Sequence, residues 1–272
     1  MIQYQKENLT VFQSSLYMTT SAVIETDDAI VMTDPNWLPV EVEGIKKYIE
    51  SNLGSKQLYI IYTHNDYDHI IGAGAFSNAI VIASEEFAQY PDKEKVVQQN
   101  REFDEGHYLE RTYDHIYPDV DVVVKHDGQQ LKAGDLTLTF YKSPGHTNDG
   151  IFTVVEPYGI FLSGDYLSDV EFPFISGSYH DYVRTIDTAE TIFNKYDIKV
   201  HVPGHGRTTE DKREMDSRLD FSMYYLQELP KEDEELKAHM QEKFTFFNFM
   251  SGVHDDNKKV ALRELEKGRS NC

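Results

Sequence analysis

Four side chains able to bind a metal fall within six residues of this chain, directly after an apolar segment. Residues 57–62 read QLYIIY and predict a buried strand, which leads into His64, Asp66, Asp68 and His69. A loop that leaves the end of a strand can direct several side chains into one cleft. Imidazole nitrogen and carboxylate oxygen bind divalent metals at about 2.0–2.2 Å. The alternative interpretation is an acidic turn in which Asp68 caps the next helix.

Three further metal-competent residues follow other predicted strands. His146 comes after the strand at 136–142, Asp165 after the strand at 159–163, and His205 after the strand at 199–202. Each residue is preceded by a glycine, which allows unusual backbone angles and close approach of neighbouring chain. Because loops at strand ends can converge on one edge of a pair of sheets, the pattern predicts one shared metal site.

Charge and cysteine content narrow the class of protein. The chain has 272 residues and a net charge of −21, with 26 basic against 47 acidic side chains. Binding to nucleic acid requires lysine and arginine to neutralise phosphates, so DNA, RNA and anionic membranes are disfavoured as partners. The one cysteine, Cys272, stands at the last position, where chain ends fray, so we expect no thiolate ligand or nucleophile. Any metal must then be bound by histidine and carboxylate groups.

The sequence also lacks the features of a membrane or exported protein. No run of 18 apolar residues is present, and residues 1–10 contain no apolar run of the secretory type. We therefore expect a cytoplasmic protein.

Strands and helices alternate up to about residue 209, and helices alone are predicted beyond it. Strands are predicted at 9–13, 21–25, 29–33, 57–62, 79–83 and 151–155, with 121–125, 130–131 and 136–142 forming a meander. Helices are predicted at 42–53, 70–76, 183–195, 211–229, 231–243 and 257–268, and 104–119 is interpreted as an irregular loop. We predict a metal-binding domain at 1–209 and a helical extension at 210–272 that packs on it. The aromatic segment 244–250 is expected to pack on the body; the alternatives are a lid over the cleft and a homodimer contact.

The order of these motifs resembles that of the metallo-β-lactamase fold superfamily, which includes glyoxalase II, acyl-homoserine lactonases, flavodiiron proteins and RNA-processing nucleases. The family pattern is His-x-His-x-Asp-His, then Gly-His, Gly-Asp and a late Gly-His, and residues 9–209 follow this order. The resemblance implies an α/β protein, an αββα four-layer sandwich, here with a C-terminal helical extension.

The resemblance also implies a dinuclear metal site and a role for each motif residue. His64 and His146 would bind a first divalent ion, Asp68, His69 and His205 a second, and Asp165 would bridge the two. A hydroxide shared by the ions would be the nucleophile, with Asp165 and Asp68 as catalytic residues and Asp68 able to orient it or transfer its proton. Tyr166, Tyr179 and His180 lie where the family places substrate contacts.

One position departs from the family pattern, because Asp66 stands where the family has its second histidine. The flavodiiron proteins resemble this chain in carrying a carboxylate there. Zinc is the first expectation, and an anionic oxygen ligand shifts the preference toward iron or manganese. The alternative role for Asp66 is that of a hydrogen-bond acceptor for His64.

The resemblance favours a metal-dependent hydrolase of a small ester, thioester, lactone or phosphoester. The alternative is a non-hydrolytic di-iron oxygen or nitric-oxide reductase or sensor, which Asp66 favours. The segment after residue 209 is too short for the flavodoxin domain of the flavodiiron proteins, so that function would require a separate redox partner. The acidic charge makes a nuclease of the same superfamily the weaker hypothesis.

Overall fold

The computed structural model describes residues 1–231 and 234–270, so Cys272 lies outside the described residues. The first sheet has seven strands in sequential order. They are β1 (Ile2–Lys6), β2 (Leu9–Gln13), β3 (Thr20–Glu25), β4 (Ala29–Thr33), β5 (Gln57–Ile61), β6 (Ile80–Ser84) and β7 (Val122–Val124). Strands β1 to β4 pair antiparallel, and β4 to β7 pair parallel. Parallel neighbours need crossover connections, and helices supply them.

The helices of this half lie in those crossovers. They are α1 (Pro39–Leu53), α2 (Tyr67–Ile70), α3 (Glu85–Ala88) and α4 (Lys93–His107). Helix α1 begins with a proline, whose fixed φ suits the first helical turn, and buries Val42, Ile45 and Ile49. Ser84 caps α3, because its hydroxyl accepts a hydrogen bond from the Phe87 amide at 2.9 Å.

The second sheet has five strands in the order β12-β11-β10-β9-β8. They are β8 (Gln129–Ala133), β9 (Leu136–Lys142), β10 (Ile151–Glu156), β11 (Ile160–Leu162) and β12 (Val200–Val202). All neighbours pair antiparallel except β11 and β12, which are parallel and joined through α5 (Tyr179–Lys195). The remaining helices are α6 (Lys212–Glu228), α7 (Glu234–Lys243) and α8 (Phe247–Ser270).

Three apolar clusters define the layers. The middle cluster joins the inner faces of both sheets, for example Val31 and Ile61 with Phe140 and Leu162. A second cluster packs the outer face of the first sheet against α1, α3 and α4. A third packs the outer face of the second sheet against α5 to α8. The order helix, sheet, sheet, helix confirms the predicted αββα sandwich with C-terminal helices. Every described helix is too short or too polar to cross a membrane.

Two predicted elements differ in the structure. Strand β7 is not part of a meander with β8, because it pairs with β6 in the first sheet while β8 begins the second. The predicted helix at 70–76 is divided into α2 and a 3₁₀ turn at Ala73–Phe76. The division falls at Gly72, whose amide bonds to the carbonyl of Pro35 at 2.9 Å; a side chain there would meet that carbonyl at 2.2 Å.

Several helix boundaries also differ from the prediction, and α1 and α5 begin three and four residues earlier than predicted, at Pro39 and Tyr179. Helix α4 continues to His107, so the predicted irregular loop at 104–119 begins later than expected. Helix α8 begins at Phe247 rather than at residue 257. Its first turns are held by burial of Phe247 and Met250, together with Phe244 just before the helix, in the third apolar cluster. The polar periodicity of 257–268 gave no indication of this aromatic start.

Candidate metal centre

The loop after β5 is held by a carboxylate that lies outside the motifs. Asp34, at the end of β4, accepts hydrogen bonds from the Thr63 amide at 2.8 Å and the Thr63 hydroxyl at 2.6 Å. The same carboxylate lies 3.1 Å from Nδ1 of His69. One buried side chain therefore fixes both the start of the loop and the imidazole at its end. The sequence pattern does not indicate this role, because Asp34 lies outside the motifs that carry the donor residues.

The other imidazoles are oriented in the same way, through Nδ1. His146 directs Nδ1 to the carbonyl of Phe174 at 2.9 Å, and His205 directs Nδ1 to the carbonyl of Tyr17 at 2.9 Å. A carbonyl can only accept, so Nδ1 of each ring carries a proton and Nε2 is the nitrogen left for a ligand. His64 Nδ1 lies 3.0 Å from the Thr63 hydroxyl. This leaves Nε2 of each imidazole facing a common centre.

Four donor atoms form the first group. Nε2 of His146 lies 3.2 Å from Oδ2 of Asp66 and 3.3 Å from Oδ2 of Asp165. Nε2 of His64 lies 3.6 Å from each of the same two oxygens. Asp66 thus faces both His64 and His146, rather than His64 alone.

The second group shares Asp165 with the first. Nε2 of His69 and Nε2 of His205 lie 3.3 Å apart, and they lie 3.4 Å and 3.5 Å from Oδ2 of Asp68. Asp165 reaches them with its two oxygens, Oδ1 at 3.1 Å from His69 and Oδ2 at 3.3 Å from His205. The structure therefore brings all seven predicted residues into one cluster, in two four-donor groups that meet at Asp165.

The donor set fits metal ions better than it fits hydrogen bonding. A tetrahedral ion with bonds of about 2.0–2.1 Å keeps its donors about 3.3–3.4 Å apart, close to the distances of both groups. Nε2 of His64 and Oδ1 of Asp165 are buried without a hydrogen-bond partner, which is costly unless a cation satisfies them. Each of three sets within the cluster offers ligand atoms within 4.8 Å of one another.

Electrostatic coupling within the cluster is strong. Burial alone would lower the pKa of the imidazoles, but the Asp165 carboxylate holds the pKa of His69, His146 and His205 well above the usual value. Burial alone would raise the carboxyl values, but the imidazoles hold the pKa of Asp66, Asp68 and Asp165 below the usual value. Protons and divalent cations therefore compete for the same donor atoms.

Two of the glycines that precede the ligands are required by close packing. A Cβ on Gly204 would lie 2.3 Å from Oδ1 of Asp165, so only glycine lets the His205 loop pass this carboxylate. Gly145 has a φ of 127°, and a Cβ there would lie 2.5 Å from the backbone of Tyr182 in α5. The His146 loop is therefore pressed against a helix.

The three predicted substrate contacts have partners within the protein. The Tyr166 ring is buried, and its hydroxyl accepts from the His146 amide at 2.8 Å and donates to the Ser143 carbonyl at 2.9 Å, so it supports the His146 loop. The Tyr179 hydroxyl donates to the Leu226 carbonyl at 2.8 Å. His180 is exposed on the first turn of α5, where its backbone amide donates a hydrogen bond to the Glu264 carboxylate at 3.1 Å. These contacts give Tyr166 and Tyr179 structural roles, and they lend no support to the predicted role in substrate binding.

A cavity of about 400 Å³ adjoins the cluster. Its walls come from the residues around Tyr17, from the loop after Asp165 and from the first turns of α8. Glu171 stands between cavity and cluster, with Oε1 3.8 Å from Nδ1 of His205. No pattern in the sequence marked Glu171. Behind Tyr17 lies Trp37, a buried ring whose centroid is 5.3 Å from the Tyr17 ring.

The aromatic segment 244–250 has two roles. Phe244 and Phe247 are buried against the body, as the sequence predicted. Phe246 and Phe249 line the cavity and stay exposed, so the segment also forms one wall of the cleft.

Comparison with known proteins agrees with this geometry. The profile of the metallo-beta-lactamase superfamily matches residues 15–208, and the chain belongs to that superfamily. No curated protein sequence matches the chain.

Solved structures of the same fold are similar at low identity. A metallo-beta-lactamase family protein from Thermus thermophilus superposes with a TM-score of 0.66 at 17% identity, covering 96% of this chain and 93% of its own. The metallo-beta-lactamase from Pontibacter korlensis gives 0.60 at 18%, covering 84% and 98%. The sec-alkylsulfatase Pisa1 from Pseudomonas sp. gives 0.65 at 12%, covering 82% of this chain but 41% of its own. At these identities the likeness shows the fold alone.

Proposed function

We propose that this protein is a dinuclear metal-dependent hydrolase of a small ester, thioester, lactone or phosphoester. One observation carries the proposal: two groups of four donor atoms, at spacings suited to tetrahedral ions, share the single carboxylate of Asp165. His64, Asp66 and His146 would complete the first site, and Asp68, His69 and His205 the second.

The bound ions would supply a water of near-neutral pKa and would polarise the scissile carbonyl or phosphoryl oxygen. The chain's own residues set up this chemistry. Asp34, Tyr17 and Phe174 fix the imidazole orientations from behind. We assign Asp68 the second role of orienting the attacking water and accepting its proton, because its carboxylate stands at the cluster and one oxygen suffices as a ligand.

The proposed cofactors are two divalent ions. Two imidazoles in each donor group and tetrahedral spacing favour zinc, whereas the anionic oxygen of Asp66 favours iron or manganese. Elemental analysis of protein purified without added metal identifies the ion that the chain selects.

The proposal is tested by removing the shared carboxylate. For Asp165→Ala we expect the metal content to fall from about two ions per chain to below one, and kcat/KM on ester, thioester, lactone and phosphoester substrates to fall by at least about 10³-fold. His69→Ala should behave alike. Asp197→Ala is the matched control, since Asp197 is an exposed aspartate that pairs with Lys212. Full activity in Asp165→Ala or His69→Ala would contradict the mechanism.

A second candidate is a non-hydrolytic di-iron reductase or sensor of oxygen or nitric oxide. The observation that favours it is the position of the Asp66 carboxylate, which adds a third anionic ligand to the cluster. An iron-bound protein with visible absorption and no turnover on the substrate panel would support this candidate. A colourless zinc protein that turns over an ester would exclude it.

A further inference from the structure

The cavity beside the cluster shares its walls with the groups that orient the metal-facing imidazoles. Tyr17 lines the cavity, and its carbonyl holds His205. Phe174 lines the cavity too, and its carbonyl holds His146. One imidazole from each donor group is therefore anchored by a cavity residue, and Glu171 of the lining lies 3.8 Å from Nδ1 of His205, so the cavity borders the cluster.

The lining of this cavity is mostly apolar. Tyr17, Met18, Val170 and Phe174 form one side, and Phe249 and Val253 form the other. Its volume of about 400 Å³ lies within the range of roughly 300–1,000 Å³ typical of small-molecule sites. Phe249 is 78% exposed, although its neighbours Phe247 and Met250 are buried. An apolar ligand would cover this ring, which gains free energy in proportion to the area removed from water.

The charged residues of the cavity and the cluster disfavour an anionic ligand. Among the ten described residues that line the cavity, none is lysine or arginine, and Glu171 is the charged member. The cluster adds Asp66, Asp68 and Asp165, so four carboxylates in all would balance the charge of two bound divalent ions. Proteins commonly bind a phosphate or sulfate group with arginine or lysine side chains, and none of these ten residues supplies one.

We propose that the cavity binds the apolar acyl chain of a neutral carboxylic ester or thioester, with the scissile carbonyl at the cluster. This inference rests on the proposed function. Hydrolysis forms a bond between the water oxygen and the acyl carbon and breaks the acyl–oxygen or acyl–sulfur bond. One water proton passes to the leaving alcohol or thiol, and the other product is the carboxylic acid.

Chain length is the first test. With metal-loaded protein and p-nitrophenyl acetate, butyrate, hexanoate and octanoate, we expect kcat/KM to rise about threefold to fourfold per methylene until the cavity is full. Equal kcat/KM across the series would overturn the proposal. A phosphodiester hydrolysed faster than every carboxylic ester would overturn it as well.

Filling the cavity is the second test. In Val253→Trp the indole ring occupies the space proposed for the acyl chain. We expect the octanoate-to-acetate ratio of kcat/KM to fall at least tenfold. Leu262→Trp makes a comparable change on the same helix at a residue outside the cavity lining, and should keep the wild-type ratio. An unchanged ratio in Val253→Trp would overturn the proposal.

A binding measurement separates this inference from the proposed function. 2-Octanone is a neutral ketone that cannot be hydrolysed, and calorimetry on the full chain, with and without added zinc, measures its affinity. We expect it to bind at least tenfold tighter than acetone, and to lose this advantage in Val253→Trp but not in Leu262→Trp. Ketone binding without turnover of any ester would contradict the proposed hydrolase function but would still support an apolar binding site. A solution dimer that Phe249→Asp dissociates would assign these aromatics to an interface between copies and overturn the inference.

Discussion

At the scale of single residues, Asp34 positions parts of the metal centre although it belongs to neither donor group. Its two oxygens bind the Thr63 amide, the Thr63 hydroxyl and the His69 imidazole, and the side chain is almost wholly buried. Carboxylates that hold a ligating histidine fix the ring orientation and raise its basicity. The precision of the His64–His69 loop therefore depends on a residue about thirty positions earlier in the chain.

Asp34→Ala should weaken metal binding while leaving every donor residue in place. We expect an affinity lower by about 10- to 100-fold, measured by competition with a chromophoric chelator, because His69 loses its orienting partner. Asp28→Ala, in the exposed turn before β4, serves as control. Wild-type affinity in Asp34→Ala would show that the loop holds its shape without this carboxylate.

The seven donor residues are predictable from the sequence because each one follows an apolar strand, and strand ends of a sandwich meet at one edge. The roles of Asp34 and Glu171 and the structural role of Tyr166 are not predictable, for one physical reason. Whether a polar side chain faces a cleft or a neighbouring backbone depends on tertiary packing, which no local spacing records. The Tyr166 hydroxyl, satisfied by the backbone of His146 and Ser143, is the clearest example.

At the scale of elements, the loop that carries His146 depends on how closely it packs on α5. Gly145 has a positive φ, and a side chain there would collide with Tyr182. Thr185, one turn further along α5, donates to the Pro144 carbonyl at 2.6 Å. The helix thus determines where the loop places its imidazole.

Gly145→Ala should therefore be destabilising. The strained φ and the 2.5 Å approach to Tyr182 predict a loss of about 2–3 kcal/mol in the free energy of unfolding, measured by urea denaturation. Gly44→Ala is the matched control, because Gly44 lies in α1 with open space at its Cβ and should gain about 0.5–1 kcal/mol. Equal stability of the two variants would contradict the packing argument.

The elements themselves were predictable where hydrophobic period and turn residues agreed. Strands β2, β4 and β9 fall at their predicted positions. The sequence predicts β7 in a meander with β8, whereas the structure pairs it with β6, because a short apolar run reads alike in either sheet and its partner is decided by distant packing. The predicted start of helix α8 was too late, because its first turn is held by tertiary burial of Phe247 rather than by a cap or a period visible in sequence.

For the whole molecule, the C-terminal helices and the second sheet share one apolar core. Phe172 and Tyr182 of the body cluster with Tyr225 and Phe247 of the tail. Asn257 of α8 joins them through polar contacts. Its side chain accepts from the Ile175 amide at 2.8 Å and donates to the Pro173 carbonyl at 2.6 Å and to the Tyr225 hydroxyl at 2.9 Å. The tail is thereby tied to the loop that forms the cavity.

Asn257→Ala should leave buried backbone groups of that loop without partners. We expect the free energy of unfolding to fall by about 2–3 kcal/mol, with one cooperative transition retained because body and tail share their core. Asn248→Ala, at an exposed position of the same helix, controls for loss of an asparagine. A separate early transition in Asn257→Ala, followed by circular dichroism, would show that the tail unfolds independently.

The domain boundary at 209, the cytoplasmic location and the homodimer stay predictions.

The packing around Trp37 has a practical consequence. It is the sole tryptophan of the chain, and its ring lies between those of Tyr17, Tyr67 and Phe103, at centroid distances of 5.3, 5.6 and 5.3 Å. Excitation at the red edge of protein absorbance thus excites Trp37 selectively, and only the Tyr17 ring separates this residue from the apolar cavity. We expect an occupant that shifts Tyr17 to alter the intensity or lifetime of this emission. The molecule carries an intrinsic fluorophore by which unlabelled compounds can be screened.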